Sequence, residues 1–92
     1  MTENGGPENR REPRQPAEGV IRIWFTNPEP FEIQGRLMDV SNSGFRMAHD
    51  CSTLQAGQVV EFSREDMAGS ARVIWNRIVN TRVETGFLLV AR

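Results

Sequence analysis

The chain has 92 residues and a formal net charge of −1, and all eleven of its basic residues are arginine. This near-neutral balance argues against a long nucleic-acid polymer as partner, because polymer binders usually carry a large basic excess. No apolar run is long enough to span a bilayer, the N-terminus lacks a signal-peptide pattern, and the lone Cys51 excludes an internal disulfide. We therefore expect a cytoplasmic protein that does not insert into membranes.

The first eighteen residues, MTENGGPENRREPRQPAE, contain no strong apolar residue after Met1. Such a segment cannot bury enough surface to offset the entropy lost on ordering. The sequence therefore predicts a flexible N-terminal arm over 1–18 and one domain over 19–92. The arm concentrates three guanidinium groups, those of Arg10, Arg11 and Arg14.

Beyond the arm, short apolar segments alternate with turn residues. Six segments have the composition of strands: VIRIWF (20–25), FEIQGRLMDV (31–40), FRMA (45–48), VVEF (59–62), SARVIW (70–75) and TGFLLV (85–90). Short strands at this regular spacing are typical of an antiparallel barrel or sandwich, so the predicted fold class is all-β. The segment 76–84 stays unassigned between a strand edge and a hairpin loop.

Side-chain alternation predicts which residues share a face of each strand. Ala71, Val73 and Trp75 are expected on one face of their strand, with Trp75 either turned toward the core or placed beside a ligand. Gly35 is expected to mark a bulge or a bend of a barrel strand.

The stretch DVSNSGFRM (39–47) joins two predicted strands and carries candidate binding residues. Asp39 and Ser41 are two residues apart, so they project to the same side of a strand. A carboxylate accepts two adjacent hydrogen bonds, which suits the N1–H and N2–H edge of guanine, and Gly44 permits a positive φ and a close ligand approach. The alternative is a polar turn that only reverses the chain. Arg46 faces either this site or solvent.

Catalytic and metal chemistry have little support in the sequence. His49 has no second metal ligand near it, and Cys51 has the composition of a small buried side chain. No nucleophile–base set or special carboxylate pair is visible. We therefore expect a binding protein, not an enzyme, with no cofactor and no metal.

Two motifs in order resemble the PilZ domain family. The pattern R-x-x-x-R (Arg10 and Arg14) precedes D-x-S-x-x-G (Asp39, Ser41 and Gly44), and both lie on the six-strand pattern. The segments GQVVEF, ARVIW and TGFLLV fall where the family places its later strands, so the resemblance covers residues 9–90.

The resemblance implies a six-stranded antiparallel β-barrel, the PilZ-like split barrel, that binds cyclic di-GMP, a bacterial second messenger. It implies that Arg10 and Arg14 contact phosphate oxygens and a guanine edge, and that Asp39 and Ser41 take the opposite edge, with Gly44 leaving room. For Arg11, contact with phosphate and exposure to water both stay open. Trp75 lies at the end of a strand that the family often places near the ligand.

As a stand-alone domain, such a barrel would act as an adaptor toward a downstream protein partner, as a monomer or a ligand-induced homodimer. Two alternatives stay open. One is a PilZ-like barrel that binds no nucleotide and serves only as a protein-interaction module. The other is a small RNA-binding barrel that uses its arginines with Trp24 or Trp75 for stacking, against which the net charge weighs.

Overall fold

The computed structural model describes residues 13–26, 29–65 and 67–90. Every regular element in these ranges is a strand: β1 (Gln15–Pro16), β2 (Val20–Phe25), β3 (Phe31–Val40), β4 (Gly44–His49), β5 (Val59–Arg64), β6 (Met67–Val79) and β7 (Arg82–Leu89). No helix in the described part of the chain has the length and hydropathy needed to cross a membrane. The unassigned segment 76–84 is the hairpin in which β6 turns into β7.

The strands close into a barrel because β3 pairs with both β2 and β4, which lie at the two ends of the row formed by the other strands. It pairs with β2 through Phe31–Arg36 and with β4 from Arg36 to Val40. The ring then continues from β2 through β5, β6 and β7 back to β4, with every pair antiparallel. Closure leaves few unpaired strand edges. The predicted all-β class and six-stranded antiparallel barrel are confirmed.

The short strand β1 lies outside this ring. Gln15 pairs with Val40 and Pro16 pairs with Asp39, so residues of the predicted arm lie against β3. The N–H of Ala17 donates to Met38 O over 3.0 Å and continues the contact toward β2. This pairing brings Arg14 beside the end of β3.

The core consists of inward side chains contributed by six strands and by Leu54 of the β4–β5 loop. Phe45 is central, since its ring lies 4.7 Å from that of Phe87 and 5.1 Å from that of Phe62. Ile21, Ile23, Leu37, Met47, Val60 and Val73 are each at most 1% exposed. Burial of these side chains is the main stabilising contribution to the barrel.

Two register shifts interrupt the alternation of side chains. One lies between Leu37 and Asp39 in β3, and the other between Val73 and Trp75 in β6. Each inserts one extra residue and reverses which face the following side chains occupy. Gly35 pairs regularly with Ile21, so the expectation of a bulge at Gly35 is wrong, and the irregularity in β3 lies between Leu37 and Asp39.

The second shift corrects the expected face of Trp75. Val73 pairs with the buried Phe87, but Trp75 pairs with Gly86, the next residue along β7. Neighbouring residues of a strand point to opposite faces, so Trp75 lies on the outer face of the barrel. The expectation that Ala71, Val73 and Trp75 share one face is therefore wrong at Trp75, because the bulge at Ile74 breaks the alternation.

Candidate functional site

A row of paired residues crosses the outer face of the barrel from β3 to β6. Asp39 pairs with Arg46, Arg46 with Gly86, and Gly86 with Trp75. The flanking pairs Leu37–Met47 and Val40–Phe45 point into the core, so Asp39 and Arg46 point outward. We call Asp39, Arg46, Gly86 and Trp75 the outer row. It joins a residue of the predicted motif to the predicted aromatic residue.

The carboxylate of Asp39 is held by two guanidinium groups. Arg14 donates from Nη1 to Oδ1 over 2.7 Å, and Arg46 donates from Nε to Oδ2 over 2.8 Å. A further donation from Nη2 of Arg46 reaches the same Oδ2. The Asp39 side chain is only 9% exposed, so these partners replace most of its hydration.

These contacts keep Asp39 ionised despite its burial. Burial by itself raises the pKa of Asp39, but the hydrogen bond and charge of Arg46, followed by the charge and hydrogen bond of Arg14, outweigh it. The pKa of Asp39 therefore lies below its ordinary value. At neutral pH the group is a negatively charged hydrogen-bond acceptor.

The other end of the outer row presents an indole ring. The ring of Trp75 lies against Gly86 so closely that a Cβ added there would come within 2.4 Å of its Nε1 and Cε2 atoms. Arg77 lies over the same ring, 5.7 Å from its centroid, and its Nε donates to Glu84 Oε1 over 3.0 Å. Gly86 is therefore a glycine because the indole occupies the space of a side chain. Sequence reasoning missed Gly86 and Glu84, since their role depends on the register between β6 and β7.

The loop of the second motif is fixed to the barrel by backbone contacts. The N–H of Ser41 donates to Gly44 O over 2.9 Å, and the N–H of Leu89 donates to Ser43 O over 2.7 Å. A Cβ on Gly44 would lie 2.0 Å from Phe87 O, and the φ of Gly44 is not positive. The structure thus corrects the expectation of a positive φ at Gly44 and gives a further reason for glycine there, because close packing against β7 excludes a side chain.

The structure brings several predicted site residues together. Arg14 and Asp39 are in direct contact, Ser41 follows two residues later in the chain, and Trp75 lies in the same outer row. Of the two orientations left open for Arg46, the structure has the one facing Asp39. Arg10 and Arg11 lie outside the described residues.

Chemically, the site offers a carboxylate acceptor, guanidinium donors and an aromatic surface. That combination suits a ligand with planar hydrogen-bonding rings and negative charge. No group of three or more His, Cys, Asp or Glu side chains that could hold a metal ion occurs within the described ranges.

Comparison with known proteins gives a likeness in structure but not in sequence. No protein-family model matches this chain, and no curated protein matches it. Among solved structures, the crystal structure of YcgR in complex with c-di-GMP from Escherichia coli matches with a TM-score of 0.69. The match is 19% identical and covers 89% of this chain and 38% of that chain. At this identity the likeness shows the fold, and it supports the PilZ-like barrel that the motifs predict.

Proposed function

We propose that this chain is a PilZ-like receptor that binds cyclic di-GMP on the outer face of its barrel. The observation that carries the proposal is the contact between Arg14 and Asp39, which joins the two motifs although 25 positions separate them. The structural likeness to YcgR, whose solved structure holds c-di-GMP, supports the same ligand for this fold.

In this proposal Asp39 recognises a guanine edge. An ionised carboxylate has about four acceptor positions, two on each oxygen. Arg46 occupies Oδ2 with two nitrogens, while Arg14 uses one position on Oδ1. A guanine that takes both oxygens therefore uses the open position on Oδ1 and displaces one Arg46 nitrogen from Oδ2, while Arg14 lies beside it on Oδ1. Ser41 supplies a further hydroxyl, and Gly44 keeps the loop close to the barrel.

The remaining predicted residues complete the proposed site. Arg10 pairs with Arg14 in the first motif and would contact phosphate or the O6/N7 edge of guanine. Arg11 is proposed only as a neighbouring cation. Trp75 offers an outward aromatic surface in line with Asp39, on which a purine ring can stack by displacing Arg77 from the indole. The chain acts on no substrate in this proposal and signals, inside the cytoplasm, to a downstream protein through its ligand-dependent surface.

Isothermal titration with cyclic di-GMP tests the proposal, because it reports affinity and stoichiometry together. We expect the parent chain to bind and Asp39→Ala to weaken binding by roughly tenfold to a hundredfold, the worth of a paired base contact. Asp50→Ala is the matched control, since the Asp50 side chain is 85% exposed and lies 3.7 Å from Arg82, away from the outer row.

The control separates a local effect from a general one. Binding by the parent and by Asp50→Ala, with loss in Asp39→Ala, supports the receptor function. A folded parent chain that shows no heat of binding with cyclic di-GMP contradicts it and favours the barrel as a protein-interaction module. Binding to single-stranded RNA with steep salt dependence would instead favour the RNA-binding alternative.

A further inference from the structure

Arg64 occupies an unusual position at the last residue of β5. Val60 and Phe62 point into the core, so the side chain two residues later also starts on the inner face. It lies at the end of the barrel where β3 passes into the 41–43 loop and β5 turns into β6, which we call the Ser41 end. The charged side chain of Arg64 therefore follows two apolar side chains, Val60 and Phe62, on the inner face of β5.

Within the described ranges, the guanidinium of Arg64 has few partners. Its Nε is buried and has no hydrogen-bond partner among the residues that the structure describes. Nη1 contacts the sulfur of Met67 over 3.8 Å, and Nη2 lies 3.8 Å from Oε1 of Glu65, whose side chain is 71% exposed. Arg14 and Arg46, in contrast, each make a short contact with Asp39. Guanidinium groups normally satisfy several of their five donors, so the described residues leave donors of Arg64 unused.

Arg64 adjoins the loop of the second motif. It lines a small cavity of about 40 Å³ together with Ser41, Gly44, Phe62 and Leu89. The motif loop therefore has the Arg14–Asp39–Arg46 cluster on its outer side and the guanidinium of Arg64 on its inner side. A ligand on the outer face that extends over the Ser41 end of this loop would meet cationic groups on both sides of the loop.

We infer that Arg64 is a further ligand-binding residue that contacts a phosphate of the bound dinucleotide. The inference rests on the proposed function. Phosphate suits Arg64 because a phosphodiester offers paired oxygens that match a guanidinium fork, whereas the described residues offer it one distant carboxylate. Two phosphates in one cyclic ligand allow the arm arginines and Arg64 to act on different ones.

The test compares Arg64→Met with Arg72→Met in the full chain, by titration with cyclic di-GMP and by thermal unfolding. Methionine keeps an unbranched apolar stem and removes the unpartnered Nε, so the melting temperature should stay equal or rise. Affinity should fall by about tenfold or more, the effect of losing one charge-assisted contact. Arg72 belongs to β6 and donates to Gly57 O over 3.2 Å, and its loss should leave affinity unchanged.

Arg64→Lys provides a second variant, which should bind with intermediate affinity because it keeps the charge without the fork. Loss of affinity in Arg64→Met at undiminished stability supports the inference. Unchanged affinity in Arg64→Met, with binding by the parent chain, overturns the role of Arg64 and leaves the proposed function standing. A drop in melting temperature beyond that of Arg72→Met assigns Arg64 a structural role and also overturns it. Absence of binding by the parent chain removes both proposals.

Discussion

Asp39 shows how a single charged residue is kept at the barrel surface with little contact to water. Its side chain is 9% exposed, and a buried carboxylate without partners would be strongly unfavourable. Arg46 and Arg14 offset that cost, but they differ in exposure, at 28% and 44% of their side chains. The less exposed Arg46, with two nitrogens on one oxygen, is therefore the main structural partner of Asp39.

This difference predicts unequal effects on stability. Arg46→Ala leaves a mostly buried carboxylate short of a partner and should lower the free energy of unfolding by about 1–3 kcal/mol. Arg14→Ala removes a more exposed contact and should cost less than about 1 kcal/mol. Urea unfolding of both variants at pH 7 measures the two values. Equal losses would contradict the assignment of Arg46 as the main partner.

His49 is a second polar residue in the interior, at 1% exposure. Its Nδ1 accepts from the N–H of Cys51 over 3.0 Å, so Nε2 carries the proton and donates to Thr85 Oγ1 over 2.6 Å. Thr85 donates to Asn76 Oδ1 over 2.6 Å, and Asn76 Nδ2 donates to Leu54 O over 2.8 Å. This series of hydrogen bonds requires a neutral imidazole, and it connects the loop after β4 to β6 and β7.

Burial lowers the pKa of His49, as does the charge of Arg82, while Asp50 raises it. The pKa of His49 in the folded state lies below the unfolded value of about 6.5. Between these two values the unfolded chain therefore binds more protons than the folded chain. The contribution of His49 to the free energy of unfolding should be fully present above about pH 6.5. It should decrease as the pH falls from about 6.5 toward the folded pKa. His49 is the single histidine, so its imidazole NMR titration should show a midpoint below 6.5. A midpoint at or above 6.5 would contradict a buried, neutral His49 imidazole.

At the scale of the elements, two bulges create the outer row. Without the extra residue in β3, Asp39 would lie on the inner face like Leu37, where its carboxylate would be buried among apolar side chains. The extra residue in β6 similarly brings Trp75 outward over Gly86. Pairing through β4 and β7 then aligns the two residues across four strands.

This alignment predicts an effect of Gly86→Ala on a residue of another strand. The added Cβ would lie 2.4 Å from the Trp75 ring, so the indole must move. In a Trp24→Phe background, which leaves one tryptophan, we expect a changed emission maximum and weaker binding of cyclic di-GMP. Gly69→Ala is the control, because its Cβ would meet only the edge of Phe62 at 3.3 Å. Full binding by Gly86→Ala with a displaced indole would exclude Trp75 from the site.

At the scale of the whole molecule, the barrel and the arm contribute differently to stability. Ring closure and the shared core involve β2 through β7, whereas β1 adds only the pairing of two residues. The arginines of the arm lie before β1 in the chain. Stability should therefore depend on the ring, and ligand binding on both parts.

Deletion of residues 1–14 tests this division. The shortened chain should unfold cooperatively with little loss of melting temperature, because the ring and its core are retained. Binding of cyclic di-GMP should disappear, since Arg10 and Arg14 are removed. The full-length variants Arg10→Lys and Arg14→Lys should each bind with intermediate affinity, as lysine keeps the charge but not the planar fork. An unfolded truncation, or one with unchanged affinity, would refute the arm as part of the site.

The local pattern of the sequence was sufficient to predict the all-β class and six barrel strands, and two motifs in it resemble those of a ligand-binding family. Strand composition and turn residues are local signals, so they are visible without knowledge of the pairing. The resemblance to the PilZ family assigned Arg14 and Asp39 to one ligand site, which stays a prediction, and the structure places the two side chains in contact.

The faces that these residues occupy depend on how the strands pair, which the sequence pattern of one strand does not contain. The bulges at Met38 and Ile74 depend on how β3 and β6 pair with their neighbours, so alternation along one strand misplaced Trp75. The roles of Arg46, Gly86 and Arg64 likewise depend on contacts between strands far apart in the chain. Local pattern predicts which residues form strands, but the register between strands decides which side chains meet.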